Sequence, residues 1–416
     1  MENIYLERYA CPGPVLKSTP AKNTQLIVVI PCYFEPDIID SLQSLYRCQL
    51  LQCQVEVIVV VNHSAADSQH VKDFNHRSLE EIKLWAAAHQ KNGLAWEVIE
   101  AFDLPARQAG VGLARKIGMD EALRRFEAVG SRNGIIACFD ADCTCTTNYL
   151  MEIHSFYMEH PKAVCAILHF EHPLKGALDA ELYQHIADYE LHLRYYKNAL
   201  ALVGFPYAFH TVGSCITVTS VAYQKQGGMN KRKAGEDFYF LQKISQLGKV
   251  HTIANARVYP SPRPSDRVPF GTGRAISTML NGPSMRYSTY HPQTFIEFGA
   301  LMKMIPQMFE SGNVSAQIGL LPMGVSAFLK EIDFEQQLSK IKKNSTTEVQ
   351  FLKGFFNWFN GFLALKYVHF SRDHGYADVE IHEAIYWLLK EMKLAKEPGI
   401  DKKEALELLR QWDKSH

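Results

Sequence analysis

The sequence predicts an α/β protein: an open, mostly parallel sheet with helices on both faces, followed by an all-helical region. Three observations carry this. Continuous apolar runs at 26–32 and 55–61 have the pattern of strands buried on both faces. Strand-like and helix-like segments alternate four times in the first 160 residues, the arrangement that builds a parallel sheet. From about Pro292 to His416 the apolar spacing is helical throughout.

Taken in order, Leu26-Ile-Val-Val-Ile-Pro-Cys32 is the first buried strand. A helix from about Pro36 to Tyr46 follows, with proline near its first turn. Val55-Glu-Val-Ile-Val-Val-Val61 is the second strand, 76–91 a polar helix, and Trp96–Phe102 the third strand. Gly110 opens a loop that enters a helix, and 134–139 is the fourth strand. The middle third offers a strand at Ala163–Phe170, a long helix at Leu178–Leu202 and a strand at Ser214–Ser220. A helix opens near Gly235 and closes at Gly248, and 249–259 suggests two short strands. Residues 260–283 form a loop rich in Pro, Arg and Gly. The compositional break after it divides the chain into 1–283 and 284–416.

The 416 residues are 47% apolar and 21% charged, enough for an ample core. Lys+Arg and Asp+Glu both number 44. That balance argues against a general polyanion-binding surface, so no nucleic-acid partner is expected and any basic site is local. The nine cysteines fit neither a disulfide scaffold nor a zinc spacing, which suggests reduced thiols in a cytoplasmic protein. The first residues lack the charged-then-apolar layout of a signal segment. No apolar run reaches the roughly 18 to 20 residues that a spanning helix needs. The nearest, Phe351–Val368, is interrupted by Lys353, Asn357, Asn360 and Lys366. It suits a packed core helix or, because its aromatics are dense and flanked by lysines, an interfacial helix in peripheral contact with a membrane.

Four clusters carry candidate chemistry. In sheets of this kind ligands bind beyond the carboxyl ends of the strands, and the fourth strand ends in Asp140-Ala-Asp142. Side chains two apart on a strand point the same way. If the strand runs on, the pair offers hard oxygens suited to Mg²⁺ or Mn²⁺ with a bound phosphate. A turn or helix cap is the plainer alternative. Glu236-Asp237 opens a helix; it caps the dipole or supplies a general base toward a hydroxyl. Arg263, Arg267 and Arg274 lie among prolines and glycines, as in a solvated loop or a local anion site. Gly110-x-Gly112-x-x-Arg115-Lys116 is a poor dinucleotide fingerprint. Arg115 could neutralise phosphate or face solvent, and Asn62 could contact a nucleoside or cap a turn.

Together these residues resemble a family 2 type glycosyltransferase with the GT-A fold, over roughly 25–275. Val29-Ile-Pro-Cys-Tyr-Phe-Glu35 is similar to the family's V-I-P-x-Y-N-E, which implies Pro31, Tyr33 and Glu35 in a nucleobase pocket. Glu56–Asn62 resembles its E-V-I-V-V-D-D strand, with Asn62 in place of an aspartate. Ala109–Gly118 resembles G-x-x-x-A-R-N-x-G beside the donor, implying Gly112 and Arg115. Asp140 and Asp142 fall on the metal-binding D-x-D. Gly227-Gly-Met-Asn with Gly235-Glu-Asp237 resembles G-G-F-x…G-E-D, which implies Asp237, beside Glu236, as the base of an inverting member. Val258-Tyr-Pro-Ser stands where many members have V-x-H. Retaining transferases share the D-x-D and the Arg/Gly loop, so both stereochemical outcomes stay open. The resemblance implies a nucleotide-diphosphate sugar donor, a hydroxyl acceptor and Mg²⁺ or Mn²⁺ as cofactor. The alternatives are a nucleotidyltransferase and a non-catalytic scaffold of the same fold. The helical region lies outside the resemblance and leaves an acceptor site, a homo-oligomer contact and a membrane surface open.

Overall fold

The computed structural model describes residues 3–265, 271–281, 287–395 and 399–416. The boundary expected at 283–284 lies outside the described residues. Two compact units result: Met1–Ile186, Thr211–Leu280 and Arg410–His416 form the first, and Ala187–His210 and Asn281–Leu409 the second.

The first unit follows the expected alternation. After α1 (Ile4–Arg8) come β1 (Thr24–Cys32), α2 (Ile38–Tyr46), β2 (Gln54–Ser64), α3 (Gln69–Ala88), β3 (Leu94–Leu104), α4 (Val111–Val129) and β4 (Ile135–Cys138). Then follow β5 (Thr144–Cys145), α5 (Tyr149–Glu159), β6 (Cys165–Phe170) and α6 (Ala180–Leu202), within which the division falls. The unit resumes with β7 (Ile216–Thr219), α7 (Ser220–Lys225), α8 (Glu236–Ile244), β8 (Val250–Tyr259) and α9 (Thr272–Asn281). The eight strands form one sheet in the order β3-β2-β1-β4-β7-β6-β8-β5. Pairings among β3, β2, β1 and β4 are parallel, as is β6 with β8, while β7 runs antiparallel to both its neighbours. The carboxyl ends of β1, β2, β3, β4, β6 and β8 therefore share one edge. β1 and β2 are almost wholly buried, as their unbroken Val/Ile runs require when helices cover both faces.

Several expectations need correction. β4 stops at Cys138, so the acidic pair is not on a strand. Residues 140–143 turn back, with the Cys143 N–H donating to the Asp140 carbonyl at 3.0 Å. The helix expected at 76–91 begins at Gln69, because the Ser68 side chain caps it by accepting from the Val71 N–H. The two short strands expected at 249–259 are one, β8. Its register against β6 slips between Leu168–Ile253 and His169–Arg257, and that bulge breaks the alternation. Residues 272–281, expected as loop, form α9.

The second unit contains β9 (Ser288–Thr289), α10 (Pro292–Met304), α11 (Val314–Gly319), α12 (Met323–Glu331), α13 (Phe334–Lys343) and α14 (Glu348–Trp358). It continues with α15 (Gly361–His374), β10 (Val379–Glu380), α16 (Ile381–Glu391) and α17 (Lys402–Ser415), whose last turns belong to the first unit. The helical expectation holds apart from the β9–β10 ribbon. The aromatic run Phe351–Val368 is two helices, not one. Asn360 starts the second by accepting from the Phe362 N–H at 3.0 Å. Phe351, Phe355 and Phe359 are fully buried in this unit. Among the described residues no helix is long and apolar enough to cross a membrane.

Candidate active site

The sheet's carboxyl edge gathers the acidic motifs around one side chain. Arg115 lies in the second turn of α4 and is 1% exposed. Its guanidinium donates to the Gly213 carbonyl at 2.8 Å, in the turn before β7, and to Asp140 Oδ1 at 2.9 Å. Glu236 Oε1 lies 3.2 Å away. Arg115 Nε has no hydrogen-bond partner among the described residues. Burial opposes the charge of Arg115, but Asp140 and then Glu236 outweigh it and raise its pKa.

The α8 N-terminus is shaped for this meeting. Gly235 takes φ +68°, a left-handed conformation that suits glycine, and Asn230 Nδ2 donates to the Glu236 carbonyl at 2.8 Å. Glu236 is 3% exposed, and its carboxyl is pushed up to about 7, chiefly by burial, with Arg115 opposing and Asp237 adding. Asp237 also titrates above the usual range. Burial is the main cause, the Phe238 N–H (2.7 Å to Oδ1) and Arg115 oppose it, and Asp140 adds to it.

The remaining predicted residues occupy distinct places. Pro31 is buried near the end of β1, and Tyr33 is half-buried just beyond it. Glu35 is buried and holds Arg263 through two bonds of 2.7 and 2.8 Å, while the other arm of Arg263 reaches Asp37 Oδ2 at 2.7 Å. Asp142, half-buried on its turn, adds to the charge that keeps Arg263 ionised. Arg263 is thus engaged by the β1 tail. Arg274 lies exposed on α9, and Arg267 lies outside the described residues. Asn62 is buried and donates to the carbonyls of Cys32 (2.9 Å) and Val60 (3.3 Å), tying the ends of β1 and β2. Gly112 faces protein. A Cβ there would lie 2.3 Å from the Arg232 carbonyl oxygen, so the glycine lets α4 approach the segment before α8.

Two contributors carried no sequence signal. Ser41, on the buried face of α2, places Oγ 2.7 Å from the Ala141 carbonyl and 2.6 Å from that of Cys143, clamping the acidic turn. Asn230 looks like any turn residue until its bond to α8 is seen. His169, near the same edge, lies 3.1 Å from Glu171 rather than beside the acidic turn's carboxylates.

The donor set suits a hard divalent cation in one way. Asp140 and Asp142 present two carboxylates on a half-exposed turn, and Asp140 keeps Oδ2 beyond its bond to Arg115. No cluster of three or more His, Cys, Asp or Glu placed to hold a metal occurs among the described residues. Two carboxylates alone are fewer oxygens than Mg²⁺ or Mn²⁺ takes, so an ion held by this pair would need further oxygen ligands.

No protein-family model matches the chain, and none of the curated proteins does. Among solved structures it is similar to S. aureus TarS 1-349, at 12% identity and TM-score 0.39, covering 94% of this chain and 92% of that one. The TarS 1-349 complex with UDP-GlcNAc gives 11% and 0.40, and the complex with UDP 12% and 0.39, with the same coverage.

Proposed function

We propose that this chain is a glycosyltransferase that moves a sugar from a nucleotide-diphosphate donor to an acceptor hydroxyl, with inversion. The observation that supports this most is the Arg115 cluster. It draws Asp140, from the β4 tail, and Glu236-Asp237, from the start of α8, to one place on the sheet edge where α/β sheets bind ligands. Asp140 and Asp142 would hold Mg²⁺ or Mn²⁺, which supplies Lewis-acid stabilisation to a departing diphosphate. Asp237 takes the acceptor proton. Its raised pKa makes it a better base than an ordinary aspartate. Arg115 keeps the carboxylates in register and balances their charge. Arg263, Arg267 and Arg274 are the candidates to neutralise the diphosphate, Arg263 by exchanging Glu35 for it.

The test is calorimetric titration with UDP and GDP, with and without Mn²⁺, on wild type and on Asp140→Ala/Asp142→Ala. The expected result is metal-dependent binding of one diphosphate, lost in the variant. Absence of binding to either by folded protein would count against a donor site. With an acceptor in hand, Asp237→Asn lowers kcat by roughly 100-fold or more; full turnover in a folded variant would remove the base assignment. Release of pyrophosphate in place of nucleoside diphosphate would make the chain a nucleotidyltransferase.

A further inference from the structure

Beside the acidic turn lies a pair of thiols with no part in the proposed transfer. Cys48, just past α2, and Cys145, on β5, place their sulfurs 3.7 Å apart although 97 residues separate them in sequence. All nine cysteines are reduced. We propose that Cys48 and Cys145 are a reversible modification site, closing to an intramolecular disulfide when a small two-electron oxidant such as hydrogen peroxide reaches them.

The surroundings favour Cys48 as the attacking sulfur. The Cys145 S–H, the N–H groups of Leu150 and Tyr149 at the start of α5, and the Lys91 ammonium all stabilise its thiolate. Cys145 first, against burial, brings its pKa below that of an ordinary thiol. Lys91 is fixed there by donating to the Tyr46 and Cys48 carbonyls, at 2.7 and 2.9 Å. Burial raises Cys145 itself and, away from the acidic turn, Cys11, Cys53 and Cys165, so Cys48 is set apart by its lowered pKa and by the second sulfur 3.7 Å away.

The chemistry balances. The Cys48 thiolate attacks one peroxide oxygen and breaks the O–O bond, giving a sulfenic acid and hydroxide. Cys145 sulfur then attacks that sulfur, its proton leaves with the sulfenic oxygen as water, and the disulfide forms. Two thiols and one peroxide become one disulfide and two waters. A disulfide needs the sulfurs to close from 3.7 Å to about 2.0 Å. Ser41, on the same helix as the approach to Cys48, already clamps the Ala141–Cys143 turn. The new bond would fasten the far end of that segment to the end of α2, stiffening the acidic turn from both sides.

The experiment treats native protein with limiting hydrogen peroxide, blocks free thiols, and maps peptides by mass spectrometry. A Cys48–Cys145 crosslink reversed by dithiothreitol is expected, with slower hydrogen exchange over 139–147. In Cys145→Ser the expected product is a Cys48 sulfenic acid trapped by dimedone; in Cys48→Ser, Cys145 stays alkylatable. Met323, 88% exposed, reports that oxidant was delivered. Sulfoxide at Met323 with both thiols still alkylatable would overturn the proposal. So would a crosslink formed only after the protein has melted. Neither result depends on the donor-site reading.

Discussion

Arg115 illustrates how much one buried side chain can organise. Itself buried, it neutralises Asp140 on the half-exposed turn and the buried Glu236, and a buried charge left unpaired is expensive. Arg115→Met keeps the bulk and removes the charge. Two acidic side chains then lose their shared cation, and the variant should be less stable by about 3–5 kcal/mol in urea unfolding. A loss below about 1 kcal/mol would mean that the carboxylates find other partners. Glu236 makes a second, pH-dependent test. Its carboxyl, raised from 4.5 to about 7, binds a proton more tightly in the folded protein than in the unfolded one. Its contribution to stability is complete below about pH 4.5 and is lost as pH rises through about 7. Glu236→Gln fixes the neutral form. Stability of wild type relative to that variant should fall between these pH values and then level off; a constant difference across the range would contradict the burial argument.

At the scale of elements, what could be foreseen followed from the length and purity of each pattern. β1 and β2 announce themselves because a strand buried on both faces has no polar residue to obscure it. β4 was placed but overextended by one residue, since nothing local distinguishes a strand end from the turn that Ser41 holds. α9 was hidden by the glycines at its start. β8 was split because its bulge mimics a turn. The acidic motifs were legible as types and spacing, but their convergence was not. It depends on a buried arginine that on a helix looks like any solvated cation, and on Gly112, which appeared to belong to a ligand loop. Gly112 matters for packing between elements. In Gly112→Ala the new methyl lies against the Arg232 carbonyl, a backbone atom that cannot swing aside. The first turn of α4 must shift, at about 1–3 kcal/mol. Thermal or urea unfolding measures this, and an unchanged midpoint would show that the 230–232 segment yields freely.

At the scale of the molecule, the chain's end belongs to the unit that holds the candidate site. Arg410 donates to the His172 carbonyl at 2.9 Å, and Lys414 reaches Glu171 Oε1 at 2.8 Å. Glu171 follows β6 on the sheet's carboxyl edge, also 3.4 Å from Arg257 and 3.1 Å from His169. Burial pushes its pKa up, but His169, Lys414 and Arg410 outweigh that and hold the carboxyl at about 2. A depressed carboxyl contributes stability that is present above its unfolded value near 4.5 and lost as pH falls toward 2. Lys414→Met removes one of these partners and leaves the buried carboxylate short of a charged hydrogen bond. At pH 7 the variant should be less stable by about 1–3 kcal/mol. The gap should narrow as pH drops below about 4.5, because protonated Glu171 no longer needs the ammonium. Denaturant unfolding at pH 7, 5 and 3 makes the comparison. A gap that stays constant to pH 3 would show that Lys414 acts by packing its stem rather than through its charge, and that the chain's last turn is held to this edge by contact alone.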